Sequence, residues 1–355
     1  MYRALVVVLL AVTTSATLVA QERSTPAISA QEIIAQYLST MQAQQHVALA
    51  FANESYFSEQ LATPNADGAR GATRYADGTI SADGQRAILR KRSWGQSYIV
   101  PNGPPQTEST REHAGYSRLS LDGKQYWLYS RPESTGEPSD DDYLRFGNLV
   151  MQNAKDAPDA YAELVGLTYP GHFLLGYLSL CCHRMDTVLA GAQLALTPPE
   201  VVNGVTCHVV KYASPYGDGT LWIDPDHGFN IAQAHVTVAA GDIGNNGARV
   251  RAGSRTELWL SDVTFSEVGG LWYPTAGNLK CLLSSALGKS PRNLVYQWVT
   301  SKQTLSRVTP RPDLGAPAVF STNDIPNGAA CAYKDTADWY TFRDGQFVDG
   351  PRRAP

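Results

Sequence analysis

Seven histidines and five cysteines supply the side chains that could ligate a metal or act as base and nucleophile. The densest group is Cys181-Cys182-His183, with His172 upstream. Its spacing matches no common zinc pattern, and Cys and His inside an apolar run are more often packed than ligating. Asp224-Pro225-Asp226-His227-Gly228 lacks the further carboxylates of a calcium loop and reads as a hairpin turn. Gly288-Lys289-Ser290 resembles the end of a phosphate loop, but Leu283 stands where the first glycine is needed. The sequence has no Gly-x-Ser-x-Gly elbow and no His-Glu-x-x-His. Asp140, Asp141 and Asp142 form a solvated acidic loop, and no Asp/Glu pair stands out as acid and base. Catalytic triads are scattered in sequence, so a hydrolase around His183 or His208 remains the lesser alternative. The expectation is a protein with no catalytic residues, no metal and no cofactor.

Two further groups could bind rather than react. Arg86, Arg90, Lys91 and Arg92 crowd one strand; such a cluster is usually a solvated face, and otherwise meets a phosphate or a carboxylate. Trp94, Trp127, Trp222, Trp259, Trp272 and Trp298 all fall in predicted strands. They are core residues in a closed sheet, or a sugar-stacking platform if exposed in a row.

The elements that must position these groups are mostly strands. From Glu200 to Ala240 short β-rich runs alternate with turn signals: Asn203-Gly204, Asp218-Gly219 and Pro225-Asp226-His227-Gly228. This is a meander of antiparallel strands, and most of the chain repeats it. Gln31 to Gln45 is different. Ile33, Ile34, Tyr37, Leu38 and Met41 form one apolar helical face, and Ser29 with Glu32 makes a capping box. No Lys or Arg lines its polar face, so it reads as a core-facing helix rather than a membrane-surface one. Between Tyr143 and Leu196 alternation stops. Leu144–Ala154, Tyr161–Val165, Phe173–Leu180 and Met185–Ala195 read as helices, a mid-chain helical insertion over residues 143–196.

Residues 1–20 have a basic start at Arg3, an apolar core from Ala4 to Val12 and small residues up to Ala20. That is the pattern of a secretory signal peptide. Residues 21–30 read as a flexible lead-in and 346–355 as a tail. The net charge of −4 argues against nucleic acid, and no later stretch is long and apolar enough for a membrane span. An exported chain permits disulfides; with five cysteines at least one thiol stays unpaired within the chain.

The strands Val202-Asn203-Gly204-Val205-Thr206-Cys207-His208-Val209-Val210 and Leu221-Trp222-Ile223-Asp224-Pro225-Asp226-His227-Gly228-Phe229 resemble those of the LolA/LolB-like superfamily of periplasmic lipoprotein-sorting proteins and its long, divergent bacterial relatives. Gly269-Gly270-Leu271-Trp272-Tyr273-Pro274 and Ile325-Pro326-Asn327-Gly328 resemble further turns of that group. In layout the resemblance spans residues 31–345 as a single domain. It implies a mainly β (α+β) fold: a curled antiparallel sheet forming a half-open barrel, with the N-terminal helix and the insertion over its concave face. It also implies a soluble periplasmic or extracellular protein of the cell envelope whose apolar cavity takes a lipid or lipoprotein acyl chain. The candidate lining residues are Tyr126, Trp127, Trp222, Phe229, Trp259 and Trp272, with Phe173, Leu174, Leu175 and Leu178 in a lid. The rival on the same fold is an envelope protein-interaction or signalling module.

Overall fold

The computed structural model describes residues 28–61, 69–83, 86–100, 114–122, 124–133, 148–153, 183–244, 247–286, 294–314, 325–333, 339–344 and 346–349. The signal-peptide segment, the 21–27 part of the lead-in and the residues of the expected lid lie outside them. Helix α1 spans Ala30–Gln44 and starts at the expected capping box. The Glu32 amide donates to Ser29 Oγ at 3.2 Å, and the Ser29 amide donates to Glu32 Oε2 at 2.8 Å. These bonds satisfy two groups that an uncapped helix start leaves bare. Ile33, Ile34, Tyr37 and Met41 are buried on one side of the helix, as the period of the sequence requires.

The strands are β1 (His46–Leu61), β2 (Ala69–Asp83), β3 (Ala87–Val100), β4 (Ala114–Leu121), β5 (Gln125–Glu133), β6 (Asn148–Asn153), β7 (Gln193–Val202), β8 (Val205–Ser214), β9 (Gly217–Asp224) and β10 (Asn230–Val238), then β11 (Arg255–Val268), β12 (Leu271–Ala286), β13 (Leu294–Pro310), β14 (Ala330–Tyr333), β15 (Trp339–Arg343) and β16 (Gln346–Asp349). A short second helix, α2 (Met185–Leu189), precedes β7. All the described strands lie in one sheet, ordered β16-β15-β14-β6-β5-β4-β3-β2-β1-β13-β12-β11-β10-β9-β8-β7. Pairing is antiparallel except between β6 and β14. The end strands β7 and β16 do not pair with each other. The sheet is therefore open, a half-barrel and not a closed one.

Register separates two faces, because side chains alternate across each strand. Val210, Leu221, Ala234, Leu260 and Leu279 lie opposite one another across β8 to β12. They share a core with Ile33, Ile34, Tyr37 and Met41 of α1 and with Met185, Val188 and Leu189 of α2. This is the inner face. Farther along it, Leu49, Ile80, Leu89, Leu119 and Leu128 form a second row across β1 to β5. All but Leu128 are buried there, and Leu128 is half-buried. Between the rows sit the buried polar side chains Asn53 and Ser55, with Asn53 Nδ2 donating to Ser55 Oγ at 2.9 Å.

Three local expectations are corrected. The helix read over Leu144–Ala154 is instead strand β6 at residues 148–153, wedged between β5 and β14. A short apolar run fits either element, and pairing decides. The helix read over Met185–Ala195 ends at Leu189; Gly191 turns the chain at φ +71°, and Gln193 opens β7. The 143–196 insertion is thus not all helix, and its reach over 154–182 is outside the described residues. Asp218-Gly219 is no turn. Both residues lie within β9, opposite Ala213 and Tyr212. Gly219 is a packing glycine: a Cβ there would come 2.5 Å from the Tyr212 ring. Asn203-Gly204 does turn as expected, with φ of 52° and 85°, the paired left-handed geometry of a two-residue hairpin.

Candidate functional site

The inner face and the junction that holds α1 to it make up the candidate site. The junction is the turn from Asp224 to Asn230. Asp224, 2% exposed, accepts from the amides of Asp226 and His227 at 2.9 and 3.1 Å. Its Oδ2 also accepts from His227 Nδ1 at 2.6 Å. Such an Asp side chain replaces the missing backbone partners of a tight turn. The imidazole is fixed further, stacked on Phe265 at 4.9 Å and meeting the Trp272 ring edge-on at 4.6 Å. Helix α1 docks onto this turn through polar side chains. Thr40 Oγ1 donates to the Gly228 carbonyl at 2.6 Å. Gln44 Nε2 donates to Asn230 Oδ1 at 2.7 Å and to the Trp272 carbonyl at 2.6 Å. Asn230 Nδ2 in turn donates to the His227 carbonyl at 2.7 Å. The buried Gln44 and Asn230 thus lock the end of α1 to two separate strands.

Beside the junction lies a cleft of about 280 Å³, lined by Val202, Asn203, Val205, Asp224, His227 and Phe265 among others. Two bulges bend the sheet there, one at Ala232 and one at Asp262–Val263. An Asp–His pair facing a cleft has the geometry of an acid–base unit. The nearby Cys207 thiol, however, is pushed up to about 11, chiefly by burial and then by the Asp224 charge. It is protonated at neutral pH and so a poor nucleophile. Cys331 is likewise raised by burial, to about 12. His183 donates from Nε2 to the Gly244 carbonyl at 3.0 Å and packs on Tyr216, while His208 stacks on Phe229 at 6.1 Å. Both rings are held as packing groups.

The sequence-predicted lining residues do not come together. Trp222 lies opposite Val209 and Gln233, and Trp259 opposite His235 and Lys280. These positions alternate with the inner row, so both rings are on the outer face. Trp222 is half-buried there, donating from Nε1 to Glu200 Oε2 at 2.9 Å. Trp127 is half-buried against the cluster of Tyr129, Ile325, Cys331 and Phe342. This too is outer, since Tyr129 alternates with Leu128. Phe229 packs against the inner core from its left-handed turn position, and Trp272 frames the junction. The Tyr126 side chain, Phe173, Leu174, Leu175 and Leu178 lie outside what the structure describes. Aliphatic residues, not aromatic ones, form the inner rows. The signal for them was present as alternation in β1 to β5, but register was needed to align them.

No family model matches the chain, and no curated protein does. Among solved structures the chain is similar to a Vibrio parahaemolyticus domain described as an outer membrane lipoprotein-sorting protein, at 11% identity and a TM-score of 0.33, over 83% of this chain and 97% of that one. It is similar to a DUF1329 family protein from Desulfovibrio piger at 11% identity and a TM-score of 0.27, over 83% and 99% of the two chains. It is also similar to lipovitellin, solved for its lipid–protein interactions, at 8% identity and a TM-score of 0.31, over 76% of this chain and 26% of that one. The likeness concerns the layout of strands and assigns no residue of the site.

Proposed function

We propose that the chain is an exported, non-catalytic protein that holds the acyl chain of a lipid or lipoprotein on the inner face of its open sheet. The observation that carries this reading is the row Leu49–Ile80–Leu89–Leu119–Leu128. It crosses five strands at about 4.8 Å each, a track of about 19 Å. An acyl chain of about fifteen methylenes laid on it would gain on the order of 12 kcal/mol by leaving water. Association and ordering take back several of these. Leu49, Ile80, Leu89 and Leu119 are already buried, in a cluster separate from the one that holds α1, so the acyl chain would enter along the row by displacing what packs on it, from the half-buried Leu128 end. The packing of His183 and His208 and the protonated Cys207 thiol favour binding over chemistry. No helix among the described residues is long and apolar enough to cross a membrane.

Organic extraction of protein purified from its host, followed by lipid mass spectrometry, tests the reading. One or more acyl lipids per chain is expected, together with uptake of a fluorescent fatty acid. Lipid-free protein that takes up no probe would sink it. One observation favours the protein-interaction alternative: edge strand β7 exposes Leu196 and Val201, the latter by 70%. Pro198-Pro199 interrupts its pairing with β8 and limits strand addition at that edge. A stoichiometric protein partner in a pull-down, without lipid, would establish that alternative.

A further inference from the structure

The arginine cluster of β3 is split by the sheet. Arg86 turns back to Asp83, with Nε 2.8 Å from Oδ2, and donates to the Leu314 carbonyl. Lys91 falls on the inner face, two residues beyond Leu89. Arg90 and Arg92 point to the outer face, where neighbouring strands add to them. Arg90 lies opposite Arg118, and Arg118 opposite Tyr129; Arg92 lies opposite Tyr116, and Tyr116 opposite Arg131. The Arg131 guanidinium sits 5.4 Å from the centre of the Tyr116 ring. Arginines and tyrosines thus alternate over three strands. The next residue on the same face of β3 is Trp94, opposite Tyr75, which is opposite Glu54, which is opposite Lys302.

Beside this charge stand exposed rings. Trp94 is 43% exposed and stacks on Tyr75 at 5.9 Å and 18°. Tyr56, two residues along the same face from Glu54, is 39% exposed. Trp94, Tyr75 and Tyr56 therefore run diagonally across β3, β2 and β1. Exposed aromatic side chains that cluster on one face mark a contact surface. In that patch Arg90, Arg92, Arg131 and Lys302 outweigh Asp77 and Glu54, within a chain of net charge −4; Arg118 of the same face is buried and adds no contact surface.

We infer that this outer patch binds an acidic glycan, a chain of sugars bearing carboxylate, sulfate or phosphate groups. Flat rings accept the C–H face of a sugar and guanidinium forks grip its anionic groups bidentately. Trp94, Tyr75, Glu54, Lys302, Arg92 and Tyr116 include no aliphatic side chain, which disfavours an acyl chain on this side. The site is on the opposite face from the aliphatic track, so the two can be occupied independently.

A glycan array holding uronate-, sialate- and sulfate-bearing oligosaccharides, with neutral oligosaccharides and anionic phospholipid vesicles as controls, tests this with the full chain. Retention on acidic glycans is expected, weakening at high salt. Trp94→Ala and Arg92→Glu should each reduce it at least about tenfold, roughly 1.4 kcal/mol, while uptake of a fluorescent fatty acid stays unchanged. Both side chains are exposed, and Tyr56→Ser is an independent probe should either variant misfold. Retention on vesicles alone, no acidic glycan retained, or all three variants binding as the parent would overturn the inference. Because the fatty-acid readout is separate, loss of the acyl reading leaves this one standing, and the reverse.

Discussion

Tyr37 is enclosed between α1 and the sheet, and its hydroxyl has no hydrogen-bond partner. Burial raises its pKa well above the ordinary phenol value, helped by the nearby Tyr212 and Asp186. Below about pH 10 the phenol is neutral in both folded and unfolded chains. Above that the unfolded chain loses the proton while the folded one keeps it. Stability from this group is therefore whole below the ordinary phenol pKa and falls as pH rises toward the elevated folded value. Tyr37→Phe should raise stability at pH 7 by about 1 kcal/mol, since it removes an unsatisfied buried hydroxyl. It should also flatten the alkaline decline. Urea midpoints between neutral and alkaline pH measure both, and a lower midpoint at pH 7 would mean that the hydroxyl does have a partner. Asp224 is the opposite case, a buried carboxylate with three donors. Asp224→Asn weakens those charge-assisted bonds and should cost about 2 kcal/mol in the same assay. The sequence showed Asp224–Gly228 as a turn, and its composition supports that much. That His227 would fold back onto Asp224, and that Gln44 would reach the same turn from 186 residues away in sequence, depends on tertiary contact that no local pattern records.

At the level of elements, legibility followed how much of the signal was local. Helix α1 was readable because cap and period are both written within sixteen residues, Ser29 to Gln44. The Asn203-Gly204 hairpin was readable because its left-handed pair is demanded by the turn itself. Asp218-Gly219 carried the same kind of dipeptide and misled, because Gly219 answers to the Tyr212 ring across the strand pair and not to a turn. The mid-chain segment misled for a related reason: Leu149-Val150-Met151 is apolar on every side, and only its place between β5 and β14 makes it a strand. Gly219→Ala tests the packing account. The added methyl would have to displace the Tyr212 ring in a buried cluster, and overpacking of that kind costs about 1–3 kcal/mol. A Gly in a strand without such a neighbour would instead gain stability on becoming Ala. Thermal or urea unfolding of Gly219→Ala therefore gives opposite signs for the two accounts.

Over the whole molecule the sheet sorts its side chains by face. Among the described residues aliphatic side chains form the inner rows, joined by Phe51, Tyr212 and Tyr273, while Trp94, Trp127, Trp222 and Trp259 stand on the outer side. Alternation within a strand was visible in the sequence, but which set shared a face with α1 was not. Bulges such as those at Ala232 and Arg307 reverse the alternation partway along a strand. Trp222 alternates with Leu221 in β9, and Trp259 with Leu258 and Leu260 in β11, so both stand on the outer face and not in the expected cavity. The acyl reading follows the faces and can be tested through them. Leu128 is half-buried at the β5 end of the track, so it can be enlarged with less strain than its buried neighbours. Leu128→Trp would block the last of the five strands and shorten a track of about 19 Å by about 5 Å. A sixteen-carbon fluorescent fatty acid should then bind at least about tenfold more weakly. A ten-carbon analogue, which fits the shortened row, should lose much less. Trp222→Ala, on the outer face, should leave both affinities within about twofold, a change of no more than about 0.4 kcal/mol. Equal losses for the two chain lengths would place the ligand elsewhere on the inner face, and a loss with Trp222→Ala alone would place it on the outer one.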